Sequence, residues 1–185
     1  MTRKVDRAEI IDFETYEENR DVERRRIMGV KEPRRIHVGD HLTFLFENAD
    51  TMRYQIQEMI RVERIVKEAA IRHEIDTYNG LLGGPGQLGC SLLIEIDDPA
   101  ERKHKLTEWR GLPEALYLRL EDGTRVHAAY DAAQVGEDRL SAVQYLKFDT
   151  GGRVPVAVGS EFPGLTGETE LSEAQRRALA ADLTE

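Results

Sequence analysis

The chain has 185 residues, 40% of them hydrophobic and 33% charged, and a formal net charge of −9. That length and mixture suit a soluble chain able to bury a core. The acidic balance weighs against nonspecific nucleic-acid or anionic-membrane binding as the main role. No apolar run approaches the ~20 residues of a membrane span, the charged N-terminal segment reads as no secretory signal, and the single cysteine, Cys90, excludes an internal disulfide or an all-cysteine metal site. The expectation is a cytoplasmic protein of one domain, residues 1–185, with a polar N-terminal helical segment (1–32) on an α+β body (33–185).

Residues 6–31 read as a very polar helix anchored by Ile10, Ile11, Phe13 and Tyr16. Its mixed-sign run, residues 17–26, suits a solvated helix face, with a partner-docking arm as the alternative. Met28-Gly29-Val30 and Pro33 end it. Residues 34–38 and 42–46 read as two strands of a hairpin around Gly39-Asp40. A strict two-residue loop would set Ile36 opposite Thr43 and His37 opposite Leu42, mixing polar and apolar residues on each face, so the register stays open.

Residues 51–79 read as the longest helix, N-capped by Asp50 and C-capped at Asn79-Gly80, or bending earlier near 72–74. Met52, Ile56, Met59, Val66 and Ala70 fall on one stripe, with Ile60 and Val62 on its flanks. The other face, with Arg53, Gln57, Arg61, Arg64, Glu68 and Arg72, reads as solvated and salt-bridged. Glu63 breaks the pattern, because a helical wheel puts it inside the apolar stripe. A buried carboxylate there must be paired, protonated or bound to a cation. Either it pairs with Lys67 or a neighbour such as Gln55, His73 or Arg35, or it faces a cavity as a ligand or acid/base group.

Residues 81–87 form a glycine-rich loop without the lysine and hydroxyl of a phosphate-binding loop. Leu88, Cys90, Leu92, Ile94 and Ile96 alternate cleanly and mark the clearest strand, with Cys90 on its inward face as an unreactive core residue. Asp98 with Glu101, and Pro99 at the first helical position, open a helix that packs Leu106 and Trp109 and stops at Gly111. Residues 115–120 and 125–130 suggest a second hairpin around Asp122-Gly123. Residues 142–148 and 153–158 read as further strands, the latter bent by Pro155, and residues 160–170 as irregular. Ser172 and Gln175 form a capping box for a last helix through Leu183. The sum is an α+β fold with a mainly antiparallel sheet, one long central helix and helices at both termini.

Catalytic signatures are missing: there is no Glu-x-x-His pair on the long helix, no His-Glu-x-x-His, no Gly-x-Ser-x-Gly and no dinucleotide fingerprint. No cofactor is expected. His37 and His41 are weak metal candidates, which Glu47, Glu58 or Glu63 could complete. The residues with the richest side-chain chemistry are Glu47, Asn48, Gln55, Glu58, Arg61 and Glu63, and these are the candidate ligand-binding set.

Arg35-Ile36 with Gly39 and His41, Leu45-Phe46-Glu47-Asn48 with Asp50-Thr51, and above all Gln55-Ile56-Gln57-Glu58-Met59 with Arg61 and Glu63 give the chain a resemblance. So do Asp76 with Tyr78-Asn79, Pro99-Ala100-Glu101-Arg102, Ser141-Ala142-Val143 and Leu179-Ala180-Ala181-Asp182-Leu183. Together they resemble the bacterial family known as domain of unknown function 3501, nearly end to end. Asp40 stands where that family often has proline, which bears on the turn. The resemblance implies no assigned activity. It implies a redox or peroxide-related setting, because family members tend to be encoded near rubrerythrin-like and iron–sulfur oxidoreductase proteins. The functional expectation is therefore a non-catalytic accessory protein, a homo-oligomer working with such a partner. The alternative is an enzyme or small-ligand binder using Glu47, Gln55, Glu58, Arg61 and Glu63.

Overall fold

The structure, a computed structural model, describes residues 3–185. The alternating segment becomes β3 (Gln87–Ile94), an interior strand of an antiparallel sheet ordered β1-β2-β3-β6, with β1 (Arg35–Val38), β2 (Leu42–Glu47) and β6 (Val143–Asp149). A second antiparallel sheet is ordered β5-β4-β7-β8, from β4 (Leu116–Arg119), β5 (Arg125–His127), β7 (Ala157–Ser160) and β8 (Gly167–Glu170). The sheets meet at both margins. Ala129 and Lys147 exchange backbone hydrogen bonds of 2.7 and 2.8 Å on one side, and the Thr169 hydroxyl donates to the His37 carbonyl at 2.5 Å on the other. Phe44, Phe46, Leu92, Leu116, Leu118, Phe148 and Val158 fill the space between them. The fold is α+β with antiparallel sheets, as the patterning predicts.

The helices are α1 (Phe13–Lys31), α2 (Ala49–Glu63), α3 (Glu68–Asn79), α4 (Pro99–Glu108) and α5 (Glu173–Thr184). A second apolar cluster joins Met52, Ile56 and Ile60 of α2 to Ile71 and Ile75 of α3, and to Val5 and Ile10. Asp98 caps α4 by accepting from the Glu101 amide, and Ser172 with Gln175 forms the predicted box on α5.

Several expectations need correction. The hairpin pairs Ile36 with Phe44, His37 with Thr43 and Val38 with Leu42. Gly39 takes φ 61°, so Gly39, Asp40 and His41 make a three-residue loop. The extra residue puts Ile36, Val38, Leu42 and Phe44 on the core face and removes the conflict in the pattern. The polar N-terminal helix is two pieces, a short 3-10 turn at Arg7–Glu9 and α1, which starts where the Asp12 carboxylate accepts from the Thr15 amide. Pro155 precedes β7 and does not bend a strand there, and the supposedly irregular stretch contains β8.

The long helix is also two helices. Asn48 caps α2, accepting from the Thr51 amide while the Thr51 hydroxyl accepts from the Asn48 amide, so Asp50 lies inside the first turn. After Glu63, Arg64 adopts the left-handed conformation (φ 50°, ψ 50°) and the Ile65 amide reaches the Ile60 carbonyl at 3.0 Å. That is the closing geometry normally reserved for glycine, and it stops the helix. The apolar stripe then loses its continuation, and Val62 and Val66 are exposed.

Candidate functional site

Glu47 ends β2 directly before the Asn48 cap, so its carboxyl lies under the first turn of α2 and beside β3. It is 9% exposed. The Thr51 hydroxyl donates to it at 2.5 Å and the Ser91 hydroxyl at 2.9 Å. Burial holds its pKa above the usual carboxylate range, and these two hydrogen bonds, with the charges of Lys31 and Arg35, offset that only in part. A neutral Glu47 suits the geometry. Its proton can go to the Thr51 hydroxyl, which then donates its own proton to the Asn48 carbonyl 3.0 Å away while Ser91 donates to the other carboxyl oxygen.

A group whose folded pKa is raised stabilises the fold below its unfolded pKa, and that stability is lost as pH rises through the folded value. Glu47→Gln, which keeps the shape without the charge, is thus expected to leave stability near pH 4 unchanged. At pH 8 it should raise stability by about 1 kcal/mol, because the native chain must there bear a carboxyl whose ionised form burial disfavours. Urea titrations at the two pH values check this, and a variant less stable than the native chain at pH 8 would show that ionised Glu47 is well accommodated.

Beside Glu47, Arg34 and Asp182 form a buried two-pronged ion pair. Nε and Nη2 of Arg34 each reach a carboxylate oxygen at 2.8 Å, and Nη1 donates to the Val30 carbonyl at 2.7 Å. The Asn48 amide donates to Asp182 at 3.3 Å. The pair ties the segment after α1 to α5.

The candidates on α2 belong to a different place. Glu58 accepts from the Tyr16 hydroxyl at 2.8 Å and from Arg20 at 2.7 and 3.0 Å. Arg61 lies on its other side at 3.4 Å and also approaches Glu17. Burial alone would raise the Glu58 carboxyl, but Arg20 and Tyr16 overcome it and hold it below the usual range. Arg53–Glu23 and Arg26–Asp50 continue the same antiparallel seam between α1 and α2. The α2 part of the face read as solvated, with Arg53, Gln57 and Arg61, is therefore covered by α1, whereas Arg64, Glu68 and Arg72 are exposed and Glu68 pairs with Arg72 at 2.9 Å. Gln57, assigned to that face, is buried and clamps the backbone of Ile11, accepting from its amide at 2.8 Å and donating to its carbonyl at 3.1 Å.

Alongside this seam runs an open groove of about 450 Å³ whose lining includes Arg24, Met28, Lys31, Tyr54, Gln55, Glu58, Met59 and Val62. The Lys31 ammonium stands 5.1 Å from the Tyr54 ring centre. Burial pushes its pKa down, with the carboxylates of Glu47 and Glu58 offsetting part of the effect. A second depression, about 490 Å³, is walled by Tyr130, Gln134, Tyr145 and Lys147 and holds none of the six sequence candidates.

The sequence candidates thus do not converge. Glu47 and Asn48 belong to the buried cluster at the start of α2, Gln55 and Glu58 to the groove, and Arg61 to the seam. Glu63 is exposed and makes no hydrogen bond or ion pair among the described residues, which overturns its predicted burial. The wheel assumed a helix running on to residue 79, and α2 ends at Glu63. His37 bonds the Thr43 hydroxyl through Nδ1, whereas His41 bonds the Glu95 carbonyl through Nδ1. Among the described residues no group of three His, Cys, Asp or Glu could hold a metal ion. Cys90 is buried, and burial pushes its thiol pKa well up. Sequence reasoning missed Arg34, Asp182, Arg20 and Ser91. Thr51, which bonds both Asn48 and Glu47, did have a local signal, since Asn48-x-x-Thr51 is a capping pattern.

A family model described as "Protein of unknown function (DUF3501)" matches residues 4–183. A crystal structure of a protein of unknown function from Burkholderia pseudomallei K96243 superposes with a TM-score of 0.88 at 28% identity, covering 99% of this chain and 100% of that one. No curated protein matches the sequence.

Proposed function

The chain belongs to the DUF3501 family, and on that premise we propose that it is a non-catalytic accessory protein that docks a redox partner along the α1–α2 groove and works as a homo-oligomer. The observation that carries this reading is the groove itself. Glu58, the residue best placed for acid/base work, is held ionised by Arg20 and Tyr16. Arg24 and Lys31 make no ion pair among the described residues, and Met28 and Val62 are exposed beside them. Cations around an adaptable methionine- and valine-lined trough suit an acidic amphipathic helix. The partner class, a rubrerythrin-like or iron–sulfur oxidoreductase, rests on the family resemblance. The rival reading, a small-ligand site built from Glu47, Gln55, Glu58, Arg61 and Glu63, has less support, because neither depression described above is lined by more than two of them.

Affinity capture with the tagged full chain from a bacterium that encodes it, read by mass spectrometry, tests the proposal. An oxidoreductase of the named class is expected with the native chain, and at least about tenfold less of it with Arg24→Glu/Val62→Glu, given like-charge repulsion at the groove. Both positions are exposed, so the variant's melting temperature should match the native one. Recovery of no oxidoreductase, or undiminished recovery with the variant, overturns the reading.

A further inference from the structure

The outward face of α1 is uncovered. Tyr16, Arg20, Glu23 and Ile27 turn towards α2 and the interior. Thr15, Glu18, Val22, Arg25 and Gly29 face the other way and are all exposed, Val22 at 65%.

Three features coincide on that stripe. Val22 is an exposed apolar residue amid charges, on a helix face that nothing among the described residues covers. Gly29 lies inside the helix, where glycine costs about 1 kcal/mol relative to alanine. Yet a Cβ there would meet nothing within 4 Å, and its φ is not positive. The charges are also segregated. Glu14, Glu18 and Asp21 precede Val22, whereas Arg24 and Arg25 follow it. Among the described residues none of these five takes part in the ion pairs of α1, which run through Glu17, Arg20, Glu23 and Arg26. The helix dipole favours such an order in the first and last turns only, so it does not account for the residues flanking the middle.

We infer that this face is a self-association surface, on which two copies of the chain set their α1 helices antiparallel across a two-fold axis at Val22. The pattern is self-complementary, as an isologous interface requires. Val22 meets its counterpart on the axis. Glu18 then lies within one residue, about 1.5 Å along the axis, of Arg25 of the second copy, close enough for the two side chains to pair, and Arg25 likewise of Glu18. Thr15 and Gly29 face each other across the outer ends of the contact, where the missing side chain lets the two backbones approach. A parallel arrangement would instead set like charges together. The inference deepens the homo-oligomer part of the proposed function and rests on it, but not on the redox partner.

Sedimentation velocity of the full chain across a concentration series tests it. The native chain is expected to dimerise. Glu18→Arg and Arg25→Glu should each weaken the dimer at least about tenfold by placing like charges together. The double variant Glu18→Arg/Arg25→Glu should restore the native affinity to within about threefold, because swapping both signs preserves the pairing. Val22→Glu should give a monomer, and Gly29→Leu should weaken the dimer while leaving the melting temperature of the monomer equal or higher. All these positions are exposed on a helix, so thermal melts should show intact folding. A native chain that stays monomeric overturns both this surface and the oligomer reading. A dimer indifferent to Val22→Glu and the single swaps overturns this surface and leaves the oligomer reading standing. Single swaps that weaken the dimer without rescue in the double variant overturn the antiparallel register.

Discussion

Replacing Asp182 by alanine is expected to remove about 3–5 kcal/mol of stability, because it strands a buried guanidinium. In a chain of this size that lowers the melting temperature by roughly 6–20 °C. Arg34 and Asp182 have side chains only 11% and 5% exposed, so neither charge can recover its hydration if the other is removed. Two of the Arg34 nitrogens depend on the carboxylate, and only the third has the Val30 carbonyl. Burial on its own lowers the pKa of Arg34, and the hydrogen bond and charge of Asp182 more than reverse this; without Asp182 the guanidinium still keeps its charge, because arginine does not deprotonate in proteins. The double variant Arg34→Met/Asp182→Leu separates the loss of the pair from the stranding of one charge. Two apolar side chains of similar volume are expected to recover most of the lost stability. Chemical denaturation of the three variants checks both statements. A loss below about 1 kcal/mol for Asp182→Ala, the range of exposed pairs, would mean that Arg34 finds water.

Gly89→Ala is expected to be nearly as damaging, at about 1–3 kcal/mol or more. Gly89 lies on β3 directly opposite Glu47. A Cβ there would stand 2.4 Å from the Leu81 carbonyl oxygen and 3.0 Å from the Gly83 amide nitrogen. Both are backbone atoms, in a segment anchored to the end of α3 by hydrogen bonds from the Leu81 amide to the Tyr78 carbonyl and from the Leu82 amide to the Asn79 carbonyl. Relief therefore requires either the loop or the strand to move, and the strand carries Ser91 and positions Glu47. Gly84→Ala is the control, because its Cβ would meet only the end of the flexible Gln87 side chain at 3.3 Å. Its cost should stay within about 0.5 kcal/mol, as at ordinary surface positions. Equal melting temperatures for the two variants would show that the close approach at Gly89 is not rigid. The glycines of residues 81–87 that invite a phosphate reading thus have a structural use. Gly83 and Gly86, though not Gly84, let one backbone lie directly on another: a Cβ would stand 2.5 Å from the Gln87 carbonyl oxygen at Gly83 and 3.0 Å from the Gly152 nitrogen at Gly86.

What the sequence determined by itself is local. The alternation of Leu88, Cys90, Leu92 and Ile94 identifies a strand, because successive side chains point to opposite faces whatever lies around them. Asp98, and Ser172 with Gln175, mark helix starts, because the unpaired amides of a first turn are satisfied within four residues. The antiparallel α+β class follows from such elements in order. The tertiary structure alone decided which face of each element is buried and which polar groups meet. Gln57 is buried, and Glu58 and Arg61 are half-buried, because α1 returns antiparallel over the polar face of α2, and no periodicity within α2 records the position of α1. Glu63 is in water because Arg64 accepts the left-handed conformation, a choice that composition does not signal for arginine. Arg34 and Asp182 are 148 residues apart and pair only when α5 docks beside the end of α1. Hydrogen bonds and burial within a turn can be read from neighbours in the chain. Charge pairing across the fold depends on distances that the chain sets only once it is packed.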